Sequence, residues 1–150
     1  MTAINHALTG AIIGLVIVDP VIAVPVAFAS HFALDALPHF GSSRKDFLKS
    51  LSFKSMLIID ALLCILLVVI LAIIRPQNWF IAAICAFVAT SPDFVWIGKY
   101  LEANKGRTWK VNKFSKFAAA IQWFQRPIGA VVEVAWLVAA IVLMRVIIAG

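Results

Sequence analysis

Residues 56–74 read MLIIDALLCILLVVILAII, 19 positions whose single charge is Asp60. A helix that crosses a bilayer needs about 20 predominantly apolar residues, so this run predicts a membrane-spanning helix. Downstream, Arg75, Pro76, Gln77 and Asn78 predict a turn, and 79–97 predicts a return span interrupted by Ser91-Pro92-Asp93. A basic stretch follows at 98–116. Residues 117–124 suit the membrane interface, with Trp123 at headgroup level. The final span is predicted at 128–148, just after Arg126-Pro127.

Upstream of the opening run, 41–55 is a polar loop carrying Arg44, Lys45, Lys49 and Lys54. Before it lie two shorter apolar segments, 21–37, which ends at Pro38, and 4–18, which ends at Asp19-Pro20. Both fall short of the usual spanning length, so they predict a tilted, membrane-thinning or partly re-entrant hairpin. The expected fold is an all-α polytopic membrane bundle. It has about five transmembrane segments, the first two short, in a single integral membrane domain over 1–150.

Composition agrees. The chain is 63% apolar and 13% charged, with a mean hydropathy of +1.02, against ~45–50% and ~25% in soluble domains. Low-complexity runs are absent, and two cysteines cannot make a disulfide scaffold. Cys64 and Cys85 sit in apolar runs as small packing residues. The opening residues lack a basic n-region, so no cleaved signal peptide is expected. A net charge of +6 would suggest nucleic acid in a soluble protein. Here ten of the 13 basic residues fall in the two loops, 41–55 and 98–116, which the five-span topology puts on one side. The positive-inside rule makes that side cytoplasmic, with the N-terminus in and the C-terminus out. Membrane lipid is the expected partner, nucleic acid is not, and the oligomeric state is left open.

The same threading places seven costly groups toward the cytoplasmic ends of their segments: His6, His31, His39, Asp35, Asp60, Asp93 and Glu133. The densest block is His31-Phe32-Ala33-Leu34-Asp35-Ala36-Leu37-Pro38-His39. His31 and Asp35 share a helix face at i, i+4. Pro38 predicts the helix end at Leu37, leaving His39 free to turn back over the site. Pro92 bends its span and frees a backbone carbonyl. Imidazoles with carboxylates form a mixed N/O ligand set, for which zinc is the first choice and manganese or iron the alternatives. Such a set fits one to three ions, a pair bridged by an aspartate among them, and two-metal sites serve phosphate-ester hydrolysis.

Asp60 and Asp93 are candidates both for metal and for positioning or deprotonating a water. Arg126, with Lys99 or Lys116, is the candidate phosphate holder. Glu133 is either a ligand or an ion-pair partner of Arg126, and Asn5 either bonds a ligand or caps the first helix. Asp19 reads as turn chemistry.

At these residues the chain resembles the small prokaryotic membrane-bound, metal-dependent hydrolases, known as inner-membrane-associated hydrolases. The resemblance covers most of the length. It rests on Asn5-His6 before Gly-rich apolar sequence, on His31, Asp35, Pro38 and His39, on Ser91-Pro92-Asp93, and on Ile121-Gln122-Trp123. It is looser to zinc-dependent phospholipase C. The resemblance implies metal ligands at His6, His31, Asp35, His39 and Asp93, and a place in the prokaryotic inner membrane. The expected function is hydrolysis of a phosphate ester, a lipid by the site's depth, at the cytoplasmic leaflet. The alternatives are a proton- or metal-ion transporter or channel, and a non-catalytic membrane adaptor.

Overall fold

Proline, glycine and aspartate punctuation sets the first two helices. α1 (Ala3–Val16) gives way at Ile17, and Asp19 caps α2 (Pro20–Asp35), its Oδ1 accepting from the Val21 amide at 2.9 Å while Pro20 takes the first helical position. The expected turn is therefore also a helix cap. In this computed structural model, which describes residues 1–41 and 50–150, α3 (Leu51–Ile74) and α4 (Trp79–Thr90) follow. A 3-10 turn (Ser91–Asp93) then leads into α5 (Phe94–Asn104), α6 (Lys113–Ile121) and α7 (Gly129–Ala149). Arg44, Lys45 and Lys49 lie outside the described residues.

The all-α expectation holds, and the span boundaries shift. Ser50 caps α3 by accepting from the Phe53 amide, which starts that helix five residues before the apolar run begins at Met56. Helix also continues past Ile97 to Asn104, into the stretch expected to be loop. Among the described residues, three helical stretches are long and apolar enough to cross a membrane: Leu51–Ile74, Trp79–Asn104 and Gly129–Ala149. α1 and α2, at 14 and 16 residues, reach only about 21 and 24 Å, short of the ~30 Å hydrocarbon core. They form a hairpin whose tip exposes Val16, Val18, Val21 and Ile22.

α1 is the central helix rather than a lipid-facing span. Ala7, Leu8, Ala11 and Leu15 pack with Leu67 and Leu71 of α3, Ala82 and Ala86 of α4, and Ala140 of α7. Its most extensive neighbour is α4. In lipid, helices associate through close van der Waals approach, which small residues permit. A Cβ at Gly10 would lie 2.3 Å from the Cys85 carbonyl oxygen, and one at Gly14 would lie 2.6 Å from Ala82 Cα. Only glycine fits at either place. Ala23 and Ala27 of α2 pack on Cys85 and Ala89 of α4, and Cys64 packs against the cluster around α1, so both cysteines are free packing residues as expected. By contrast α3 and α7 bury only 11% of their most apolar windows and present the rest outward.

The turn at 75–78 forms as expected. Arg75 and Asn78 take left-handed backbone at φ 49° and 65°, and the Arg75 amide closes α3 onto the Leu71 carbonyl at 2.9 Å.

Candidate metal centre

Four side chains from three parts of the chain meet at one end of the bundle. His6 comes from the first turns of α1, His31 and Asp35 from the last turn of α2, and Asp93 from the 3-10 turn after α4. Each offers a ligand atom, and these atoms lie within 4.8 Å of one another. Donors bound to one ion at about 2.0–2.2 Å lie no more than about 4.4 Å apart, so the set is close to the size of a single ion's shell. The group could hold a metal ion.

Asp35 is its hub. Oδ1 faces His6 Nε2 at 3.1 Å and carries the Met1 amino group. Oδ2 faces His31 Nε2 at 3.3 Å and accepts from Gln122 Nε2 at 2.9 Å. Asp93 Oδ1 stands 3.9 Å from His31 Nε2, and its side chain, 21% exposed, is the most open of the four.

The ring nitrogens decide whether this set suits a cation. His31 Nδ1 lies 2.8 Å from the Ala89 carbonyl oxygen, which can only accept, so Nδ1 carries the proton. In the neutral ring Nε2 then holds a lone pair, aimed at two carboxylate oxygens. That arrangement is satisfied either by a second proton on Nε2, giving an imidazolium that donates to the carboxylates, or by a metal cation between them. The His6 ring stacks on His31 with centroids 3.9 Å apart, which disfavours charge on both rings at once. His39 repeats the pattern: Nδ1 lies 2.8 Å from the Leu37 carbonyl, and Nε2 is buried with no partner. Burial also holds the His39 pKa below its ordinary value, aided by the nearby Met1 amino group, which keeps that lone pair available. Metal-binding histidines characteristically donate their second N–H to a carbonyl or carboxylate. His6 Nδ1 and Asn5 Oδ1 are further buried atoms without partners. The residues present fit a bound metal ion.

The local sequence explains the placement. Pro92 has no amide to give the Val88 carbonyl, and the Ser91 hydroxyl donates to it instead at 2.8 Å. The helix tightens there, and the neighbouring Ala89 carbonyl receives His31. α2 stops at Asp35 as Pro38 approaches, and the chain runs beside residues 124–126. There the His39 amide donates to the Phe124 carbonyl and the Arg126 amide to the His39 carbonyl, at 3.4 and 3.1 Å. A Cβ on Gly129 would strike the His39 backbone at 2.2 Å, so glycine at the start of α7 admits this segment.

Other expected site residues are placed differently. Both Asp60 oxygens accept backbone amides at the start of α1, from Ala3 at 2.6 Å and Ile4 at 2.8 Å, and Asp60 is outside the group of four. This is how a carboxylate caps a helix N-terminus. Glu133 does not pair with Arg126: its oxygens accept from the Thr2 and Phe40 amides. Asn5 donates to Thr2 Oγ1 and to the Glu133 carbonyl rather than capping α1. The Arg126 guanidinium lies over the Phe124 ring and the Lys99 ammonium over Trp96. Lys116 lies on α6, and none of these three cations is in the cluster.

Gln122 belongs to the site, and its orienting partner, Gln125 Nε2 on Gln122 Oε1 at 2.8 Å, was not foreseen. The Ala89 and Leu37 carbonyls were also missed, because backbone groups carry no residue-type signal.

Compared with protein-family models, curated proteins and solved structures, the chain matches none.

Two outcomes separate these roles. Gln122→Ala removes the group that holds Asp35 in place, so metal affinity is expected to fall about 10–100-fold with thermal stability nearly unchanged, read by chelator competition. Asp60→Ala is expected to cost about 2 kcal/mol of stability through the lost cap, while the folded fraction keeps its metal. Denaturation in detergent alongside elemental analysis checks both.

Proposed function

We propose that the protein is a membrane-embedded, metal-dependent hydrolase that cleaves a lipid phosphate ester at the cytoplasmic leaflet. The observation that carries this reading is the group of His6, His31, Asp35 and Asp93, with the His31 ring held by the Ala89 carbonyl and its other nitrogen facing Asp35 and Asp93. His6, His31, Asp35 and Asp93 would hold the metal, with His39 Nε2 a further donor beside them. Zinc suits the mixed imidazole and carboxylate set first. When bound, a divalent cation supplies Lewis acidity and lowers the pKa of a coordinated water toward about 7.

The chain's own residues do the rest. Asp93, the most open member, accepts the proton of the attacking water as its oxygen bonds to phosphorus. The P–O ester bond breaks, and the leaving lipid alkoxide takes up the proton that Asp93 had accepted. Asp35 fixes both histidines and is itself held by Gln122. The resemblance to membrane-bound metal-dependent hydrolases supports the same reaction class. A lipid substrate is supported by the cluster's place where α1 begins and α2 ends, the ends that the positive-inside reading assigns to the cytoplasmic leaflet.

A transmembrane ion route needs polar groups through the whole depth. Residues 64–74 of α3 and 134–144 of α7 contain no charge, which argues for chemistry at one end over transport. The test is incubation of wild type and His31→Ala with a total lipid extract, with products compared by mass spectrometry. Phosphate-bearing products formed by wild type alone are expected. Identical lipid profiles, together with metal-dependent flux in proteoliposomes, would replace this reading with the transporter.

A further inference from the structure

Residues 103–132 carry six basic side chains, Lys105, Arg107, Lys110, Lys113, Lys116 and Arg126, and no acidic one. Among the described residues, none of the six pairs with a carboxylate. The stretch is tethered on both sides by helices long and apolar enough to cross a membrane, Trp79–Asn104 and Gly129–Ala149. A bilayer surface is therefore always within its reach.

α6 divides this stretch into two faces. Ser115 and Ala118 are buried, and the rings of Phe114 and Phe117 meet Phe32 of α2 with centroids 6.3 and 5.2 Å apart. Lys113 and Lys116 are exposed, and Phe117 remains 51% exposed beside them. Just beyond the helix, Trp123 is 76% exposed, although its indole N–H already donates to the Ala36 carbonyl at 3.0 Å. What Trp123 presents outward is thus apolar ring. Lysines beside outward phenylalanine and tryptophan mark a segment lying at headgroup level. An anionic phospholipid answers both features, its phosphate the lysines and its chains the rings. A zwitterionic lipid brings its own cation and leaves the lysines without a counter-charge.

The helix also ends at the metal group. Gln122 Nε2 donates to Asp35 Oδ2 at 2.9 Å, and the Phe32 ring lies 5.2 Å from both the Phe117 ring and the His31 ring. One aromatic ring separates the outer surface at Phe117 from His31.

We infer that α6 docks an anionic phospholipid at the edge of the metal centre, with Lys113 and Lys116 on its phosphate and Phe117 against its chains. That this lipid is the substrate rests on the hydrolase reading. Its docking does not.

The test places the photoreactive residue p-benzoylphenylalanine at Phe117, or at the outward-facing Val138 of α7, in protein reconstituted into vesicles. These contain equal amounts of phosphatidylglycerol and phosphatidylcholine with the same acyl chains, and the captured lipid is identified by mass spectrometry. Capture at 117 is expected to favour phosphatidylglycerol about fivefold, what one basic residue contributes at an anionic surface. Capture at 138 should follow the bulk composition. Lys113→Gln with Lys116→Gln, two exposed changes, should bring the ratio at 117 down to that at 138 with the thermal melt unchanged. Equal capture of the two lipids at 117, or a preference that survives the double substitution in folded protein, overturns the inference. Phosphatidylglycerol that is captured at 117 but never cleaved supports the docking surface and overturns this lipid as the substrate.

Discussion

Asp35→Ala is expected to leave the protein with less than a tenth of the wild-type transition metal and with no measurable lipid hydrolysis. Asp35 contacts His6, His31, Gln122 and the Met1 amino group at once. Loss of an outer-shell partner alone costs about 10–100-fold in metal affinity, and loss of a charged ligand costs more. The substitution also strips buried polar atoms of their partner, at about 1–3 kcal/mol. Asp35→Asn, which keeps the shape and removes the charge, guards against unfolding as the explanation. Plasma mass spectrometry on detergent-purified protein, beside a thermal melt, reads both effects. Full metal content in a folded Asp35→Asn variant would mean that the ion, if bound, sits elsewhere.

Gly10→Val is expected to destabilise the bundle by more than about 3 kcal/mol and to weaken metal binding with it. The added Cβ would meet the Cys85 carbonyl oxygen at 2.3 Å and Ala89 Cβ at 2.8 Å. The first of these is backbone in mid-helix and cannot rotate aside, so α1 and α4 must separate. Ala89 carries the carbonyl that fixes His31, and α1 carries His6. Separation therefore opens the metal group as well as the core. Gly10→Ala should act in the same direction with smaller effect. Detergent melts and metal titration of both variants check the order. A Gly10→Val protein as stable as wild type would show that α1 and α4 do not pack this closely.

Much of this was legible from residue types. The run at 56–74 marked a span because its length and apolarity match a bilayer, and α3 contains it. Charge placement put seven groups toward one end of their segments, and four of them, His6, His31, Asp35 and Asp93, meet in one cluster. The role of α1 was not legible. Its length suggested a short crossing, but Gly10 and Gly14 let α4 approach until α1 became the core, a tertiary effect that hydropathy does not carry. The helical extension to Asn104 was hidden because α5 is moderately polar and reads as loop. Asp60 looked uncompensated because no Lys or Arg lay deep enough in the membrane to neutralise it. Its partners are backbone amides at the start of α1, which every sequence contains.

X-ray absorption at the metal edge, on protein purified from metal-replete membranes, tests the central claim most directly. The account predicts at least one divalent transition-metal ion per chain, with imidazole nitrogen and carboxylate oxygen at about 2.0–2.2 Å. It also predicts loss of that signal when His6, His31, Asp35 and Asp93 are all replaced by alanine. A wild-type protein holding no more metal than this fourfold variant would contradict it.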